Sequence, residues 1–150
     1  MALGDLDNDG DLDIVSGTSS DEGYEVIAWE NDGSPFAGVW AQNDVGASPS
    51  VFSVALGDLY NDGDLDIVSA TFGEVAAWVN DGSPFTGLWS QKYAGASTDS
   101  VFSVTLGDLE NDGDLDIVSG SDSGEDYEVI DWRNRTSECC TFVPLATKDY

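Results

Sequence analysis

The chain of 150 residues contains no histidine. That removes the commonest general base and the commonest transition-metal ligand. Only four residues are basic against 30 acidic ones, a formal net charge of −26. Such a charge repels nucleic acid and anionic membrane surfaces and attracts cations. There is no apolar run long enough to span a bilayer. No basic segment followed by an apolar one marks a signal peptide. The two cysteines, Cys139 and Cys140, are adjacent, a poor geometry for pairing with each other, so neither a disulfide framework nor a zinc site can be argued. No segment carries a convincing helical period.

What is present is apolar and repetitive. Hydrophobic residues make up 41% of the chain, with five Trp, five Tyr and six Phe, too many for a disordered acidic tail. GDLDNDGDLDIVSG at Gly4–Gly17 returns as GDLYNDGDLDIVSA at Gly57–Ala70 and GDLENDGDLDIVSG at Gly107–Gly120. VFSVALGDL recurs as VFSVTLGDL, and EVIAWENDGSPFAGVW as EVAAWVNDGSPFTGLW. The third copy keeps EVIDW and loses the pattern after Asn134. A single repeat domain follows, with units at 1–50, 51–100 and 101–134 and a divergent tail at 135–150.

Each unit reads as four short strands. In the second they fall at Val51–Leu59, Asp66–Ala70, Glu74–Val79 and near Leu88–Tyr93, with Ala94–Ser100 crossing to the next unit. Asn80-Asp81-Gly82 is a hairpin-turn signal, because Asn and Gly tolerate positive φ. Four-stranded units at about 40–50 residues suggest β-propeller blades. The expected fold is all-β, three four-stranded antiparallel blades. Three are fewer than the usual four to eight. The end faces would lie uncovered, so self-association or further blades are expected to complete the propeller. Met1 stands where Val54 stands in the next unit, and we expect it to lie inside a longer reading frame.

The acidic loop has the composition of a calcium site. Asp5, Asp7, Asp9 and Asp13 offer side-chain oxygens, Asp11 a carbonyl, and Gly10 the sharp turn. Calcium takes six to eight oxygens, whereas magnesium prefers few protein ligands. An EF-hand needs Glu at the twelfth position, where this chain has Ser16, Ser69 and Ser119. The closing carboxylate comes at the ninth: Asp13, Asp66 and Asp116. The plainer alternative is a set of solvated Asp/Asn/Gly turns. Against it, 14 of the 30 acids lie in three windows of nine residues, a severe repulsion without a cation. The copies differ at the third place, Asp7, Tyr60 or Glu110. Tyr60 is a poor calcium ligand and Glu110 is one methylene longer. Affinity is expected to fall from the first loop to the third to the second, with up to three ions bound.

GDLDNDGDLDIV, a strand and a WENDG-type turn together resemble the FG-GAP or VCBS-type repeat, the unit of integrin α-subunit propellers and of many bacterial secreted and surface proteins. The resemblance implies a calcium-binding β-propeller in adhesion, in carbohydrate binding or as an accessory region of secreted enzymes, outside the cell or on its surface. Matching ligand positions are Asp5, Asp7, Asp9, Asp11 and Asp13; Asp58, Asp62, Asp64 and Asp66; and Asp108, Glu110, Asp112, Asp114 and Asp116. Tyr60 departs from the pattern.

Loops that vary on a rigid scaffold are the usual place for binding. Tyr24, Phe72 and Tyr127 lie in the variable loops and offer rings for a glycan or a protein partner, unless they only pack between blades. The five tryptophans read as packing between blades, and Phe36 and Phe85 as hairpin fillers. Paired carboxylates hydrolyse glycosides, but here they repeat identically, and no nucleophile–base pair or phosphate loop accompanies them. The expected role is a binding or adhesion module without catalysis. The alternatives are a non-catalytic propeller region of a secreted carbohydrate-active enzyme and a structural repeat without a ligand.

Overall fold

The computed structural model describes residues 1–18, 25–48, 50–122, 127–134 and 143–149. Among them there are eleven strands and no helix. The first unit contains β1 (Ala2–Gly4), β2 (Asp13–Gly17), β3 (Glu25–Glu30) and β4 (Ala41–Ala47). The second contains β5 (Ser53–Gly57), β6 (Asp66–Ala70), β7 (Phe72–Val79) and the start of β8 (Ser90–Gly107). The third takes the end of β8, then β9 (Asp116–Asp122), β10 (Tyr127–Arg133) and β11 (Val143–Asp149). Neighbours in sequence pair antiparallel except β4 and β5, which lie at the edges of a four-stranded sheet (β1–β4) and a seven-stranded sheet (β5–β11).

The register repeats with the sequence. Gly4 pairs with Asp13, Gly57 with Asp66 and Gly107 with Asp116. Each acidic loop therefore spans the same rung of its unit. The third-strand tryptophan pairs with the second-strand isoleucine in all three: Trp29 with Ile14, Trp78 with Ile67, Trp132 with Ile117.

One expected boundary is absent. Residues 94–100 do not form a loop between units. β8 runs unbroken from Ser90 to Gly107, pairing first with β7 and then with β9, and joins seven strands into one sheet. Register shifts at Phe72/Glu74, Val75/Ala76 and Val101/Ser103 accompany the change of partner from β7 to β9. Continued pairing also satisfies backbone groups that a crossing loop would leave to solvent. The first crossing contains Pro49, which has no N–H for a ladder, and there the strands stop at Ala47 and resume at Ser53.

The core lies between units. One cluster joins Leu6, Val15, Val26, Ala28 and Val45 of the first unit to Val54, Ile67, Ala76 and Trp78 of the second. The other joins Leu59, Val68, Ala70, Val75, Ala77 and Ala94 to Val101, Val104, Ile117, Ile130 and Trp132. All five residues of β6 are buried, because it has a unit on either side. Trp78 and Trp132 are buried as expected, and each indole N–H donates to a serine of its own unit, Ser69 at 3.0 Å and Ser119 at 3.1 Å. Trp29 makes the same bond to Ser16 at 2.9 Å but is only half-buried, since no described unit packs on that side of it.

The hairpin-turn reading holds: Asn80-Asp81-Gly82, with Gly82 at φ 81°, opens the turn that joins β7 to the antiparallel β8, and Thr86 and Gly87 donating to the Ser83 carbonyl close it. The hairpin-filler reading holds at only one of its two positions. Phe36 is fully exposed and fills nothing, whereas Phe85 packs against the core of the first two units. The turn of one unit rests on the unit before it: Asn43 Nδ2 donates to the Pro84 carbonyl at 2.8 Å. No described unit supports the first unit's turn in this way. Trp40 and Trp89 donate to the Pro35 and Pro84 carbonyls and tie these turns down.

Candidate metal centre

The loop between the first two strands of each unit is shaped by its own side chains. Asn8, Asn61 and Asn111 have φ of 60°, 55° and 58°, and Gly10, Gly63 and Gly113 have φ of 98°, 93° and 94°. Two left-handed residues in three explain the Asn-Asp-Gly sequence, since Asn and Gly are the residues that adopt that region at least cost. The first aspartate cups the turn. Asp5 accepts the N–H of Asp9 at 3.1 Å and of Gly10 at 3.0 Å, and Asp58 and Asp108 do the same in their loops. Asp9, Asp62 and Asp112 each accept the N–H two residues on.

The closing aspartate is a latch as well as a candidate ligand. Asp13 Oδ2 accepts from the Leu6 N–H and Oδ1 from the Asn31 N–H, both at 2.9 Å. Asp66 and Asp116 repeat both bonds, to Leu59 and Asn80 and to Leu109 and Asn134. All three carboxylates are buried. Burial pushes the Asp13 pKa up against the pull of its two N–H donors. The same balance, with Asp62 and Asp58 adding to the rise, takes Asp66 up to about 6.

The three loops part at the third position. In the first, one carboxylate oxygen from each of Asp5, Asp7 and Asp13 lies within 4.8 Å of the others, and among the described residues this is the one such cluster. Asp7 Oδ1 is buried without a hydrogen-bond partner. Desolvation first, then the Asp9 charge, raises its pKa. Oxygens at about 2.3–2.6 Å from one calcium ion lie at most about 5 Å apart, so this donor set fits a single hard cation. Asp7 and Glu30 also line a cleft of about 190 Å³ beneath residues 82–86 of the second unit.

In the second loop Tyr60 takes that position and packs against the core of the second and third units. In the third, Glu110 forms an ion pair with Arg133, whose guanidinium also lies 3.9 Å from Asp112. Arg133 precedes Asn134 as Glu30 precedes Asn31, so the two loops see opposite charges from the same place. The fourth aspartate points elsewhere: Asp64 and Asp114 accept from Asn8 at 3.0 Å and Asn61 at 2.8 Å, which ties consecutive loops together.

The structure adds residues that the sequence motif did not single out. Asn80 Nδ2 donates to the Leu6 carbonyl of the preceding unit at 2.9 Å, and Asn134 Nδ2 to the Leu59 carbonyl at 2.7 Å. The repeated asparagine before Asp-Gly was the available signal, and it reads locally as a turn. Of the ring-bearing candidates, Phe72 is exposed at the head of β7, within a strand and not a loop. Tyr127 begins β10 and pairs with Asp122. Tyr24 lies outside the described residues.

The family described as FG-GAP-like repeat matches this chain twice, over residues 5–69 and 58–119. No match was found among curated proteins or among solved structures.

Proposed function

This chain belongs to the FG-GAP-like repeat family, and on that premise we propose that it is a calcium-binding β-propeller module whose three units are blades. The observation that carries the metal reading is the first loop. Three carboxylates converge there, and a buried oxygen of Asp7 has no partner within the protein. Burying an unpaired carboxylate oxygen is costly, and a bound cation removes that cost. Asp5 and Asp13 each spend one lone pair per oxygen on backbone N–H groups and keep another for a metal. Asp5, Asp7 and Asp13 would hold the ion, which would supply positive charge among the carboxylates of the turn between β1 and β2.

The first loop is the tight site in this reading. The second lacks a carboxylate at Tyr60. In the third, a cation must compete with the Arg133 guanidinium for Glu110. The order expected from side-chain length alone, third above second, therefore loses its basis. The module's role is to hold a binding surface for a protein or glycan outside the cell, with the calcium loops as rigid joints. The chemistry is binding, not catalysis.

A melting curve with calcium and with EDTA tests this. Ligand at about 100 times its Kd stabilises the folded state by about 2.7 kcal/mol. In a chain of this size that raises Tm by roughly 5–10 °C. An unchanged Tm sinks the metal reading.

A further inference from the structure

The contact between successive units is built twice inside this chain, and its two unmatched halves lie exposed at opposite ends. In each internal contact, a first-strand glycine receives leucines of the next unit. A Cβ on Gly4 would stand 2.8 Å from Leu56 and Leu65, and one on Gly57 2.7 Å from Leu106 and 2.8 Å from Leu115. Around Gly107 no described residue fills the same space. Leu109 is 51% exposed, whereas its equivalents Leu6 and Leu59 are fully buried. The third unit thus presents a vacant receiving face. The first unit presents the inserting face: Leu3 is 65% and Leu12 56% exposed, and Met1, Ile14 and Trp29 border an open apolar groove beside them.

The polar groups match in the same way. Asn80 and Asn134 reach back to the carbonyls of Leu6 and Leu59, and Asn8 and Asn61 reach forward to Asp64 and Asp114. Asn31 and Asp11 are the corresponding residues on the first unit, and Leu109 and Asn111 on the third. We propose that the third unit of one copy docks on the first unit of a second copy. Leu3 and Leu12 cover Gly107, Asn31 Nδ2 donates to the Leu109 carbonyl, and Asn111 Nδ2 donates to Asp11. Two such contacts between two copies close a ring of six units. The occupant is a second copy because the inserting face has the register of this chain's own interface.

The match belongs to the inner two strands. Farther out, Gly46 opposite Val26 and Gly95 opposite Val75 make room for the Trp78 and Trp132 rings. Lys148, opposite Val129, holds that register position in β11. Trp29 therefore meets no glycine slot, and the test is aimed at the inner strands.

The experiment is light scattering on the 150-residue chain, in calcium and in EDTA, at about 0.15 M salt or above, where the Debye length is about 8 Å or less. The expected mass is twice the chain's 15.9 kDa. The mass of a single chain in both buffers overturns the proposal. Gly107→Leu points into open space in the isolated chain but into the docked partner, so it is expected to give a monomer with an unchanged circular dichroism spectrum. Leu12→Asp attacks the opposite face and is expected to do the same. A dimer that survives both variants overturns the proposal, because the copies then meet elsewhere. None of this rests on calcium: a dimer in EDTA supports it even if calcium leaves Tm unchanged.

Discussion

The first and third acidic loops differ by one side chain in nine, Asp7 against Glu110, yet they are electrostatically opposite places. In the first, Glu30 stands beside the loop and Asp7 keeps a buried oxygen without a partner. In the third, Arg133 holds Glu110 and approaches Asp112. The backbone is the same in both, with the same cupping by the first aspartate and the same latch by the last. Loop geometry is thus set by the aspartates that bond to N–H groups. In the calcium reading proposed for the first loop, the need for a cation is set by the third position and by one residue at the end of the third strand. On that reading the chain keeps one motif for its turns and supplies the positive charge from solution in the first loop and from Arg133 in the third.

The latch gives the largest expected effect and separates these two jobs. Asp13→Ala leaves the Leu6 and Asn31 N–H groups without their acceptor, as Asp116→Ala does for Leu109 and Asn134. A buried donor left unsatisfied costs about 1–3 kcal/mol. Relief of the burial that raises the Asp13 pKa offsets part of this, so each variant is expected to lose roughly 2–4 kcal/mol in urea unfolding with EDTA present. Only Asp13→Ala is also expected to lose the response to calcium. Equal calcium responses in the two variants would contradict the placement of the tight site in the first loop.

Asp7→Asn comes next. An asparagine oxygen can still accept the backbone N–H groups of residues 7 and 9 that the Asp7 carboxylate draws on, so stability in EDTA is expected to hold or rise as the repulsion from Asp5 and Asp9 falls. The calcium-dependent gain, about 2.7 kcal/mol at 100 times Kd, is expected to vanish. A variant that loses stability in EDTA and still responds to calcium would make Asp7 a packing residue.

Local signals carried much of this architecture. β6 lies at Asp66–Ala70 as expected, since five residues between an Asn/Gly turn and a short loop leave little freedom. The three loops and their aspartates were equally visible, because their turn chemistry is local. What escaped was whatever crosses from one unit to the next. Ala94–Ser100 looks like a linker by composition, but its pairing with β7 and β9 continues the strand. Asn80 reads as a turn former, but its amide reaches Leu6, 74 residues away. Ser16 ruled out an EF-hand, but its hydroxyl anchors Trp29. Phe36 and Phe85 occupy the same place in the repeat, and only a neighbouring unit distinguishes the exposed ring from the packed one. Arg133 sits beyond the acidic motif, so no count of ligands within the loop registers it.

That residue permits the finest test, an exchange of charge between the two loops. Arg133→Glu gives the third loop the neighbour that the first one has. Removing an ion pair that is about one-third exposed is expected to cost only about 0.2–1 kcal/mol in EDTA. In return, a second equivalent of calcium is expected in isothermal titration. Glu30→Arg makes the opposite change and places a guanidinium beside Asp7. Calcium is then expected to bind the first loop at least about tenfold more weakly, as a 1.4 kcal/mol competition would give, while the metal-free protein melts at the same temperature or slightly higher. The two variants must move in opposite directions if the arginine substitutes for the ion. If Arg133→Glu gains no calcium while Glu30→Arg loses it, the extra methylene of Glu110, and not the arginine, is what keeps the third loop from binding.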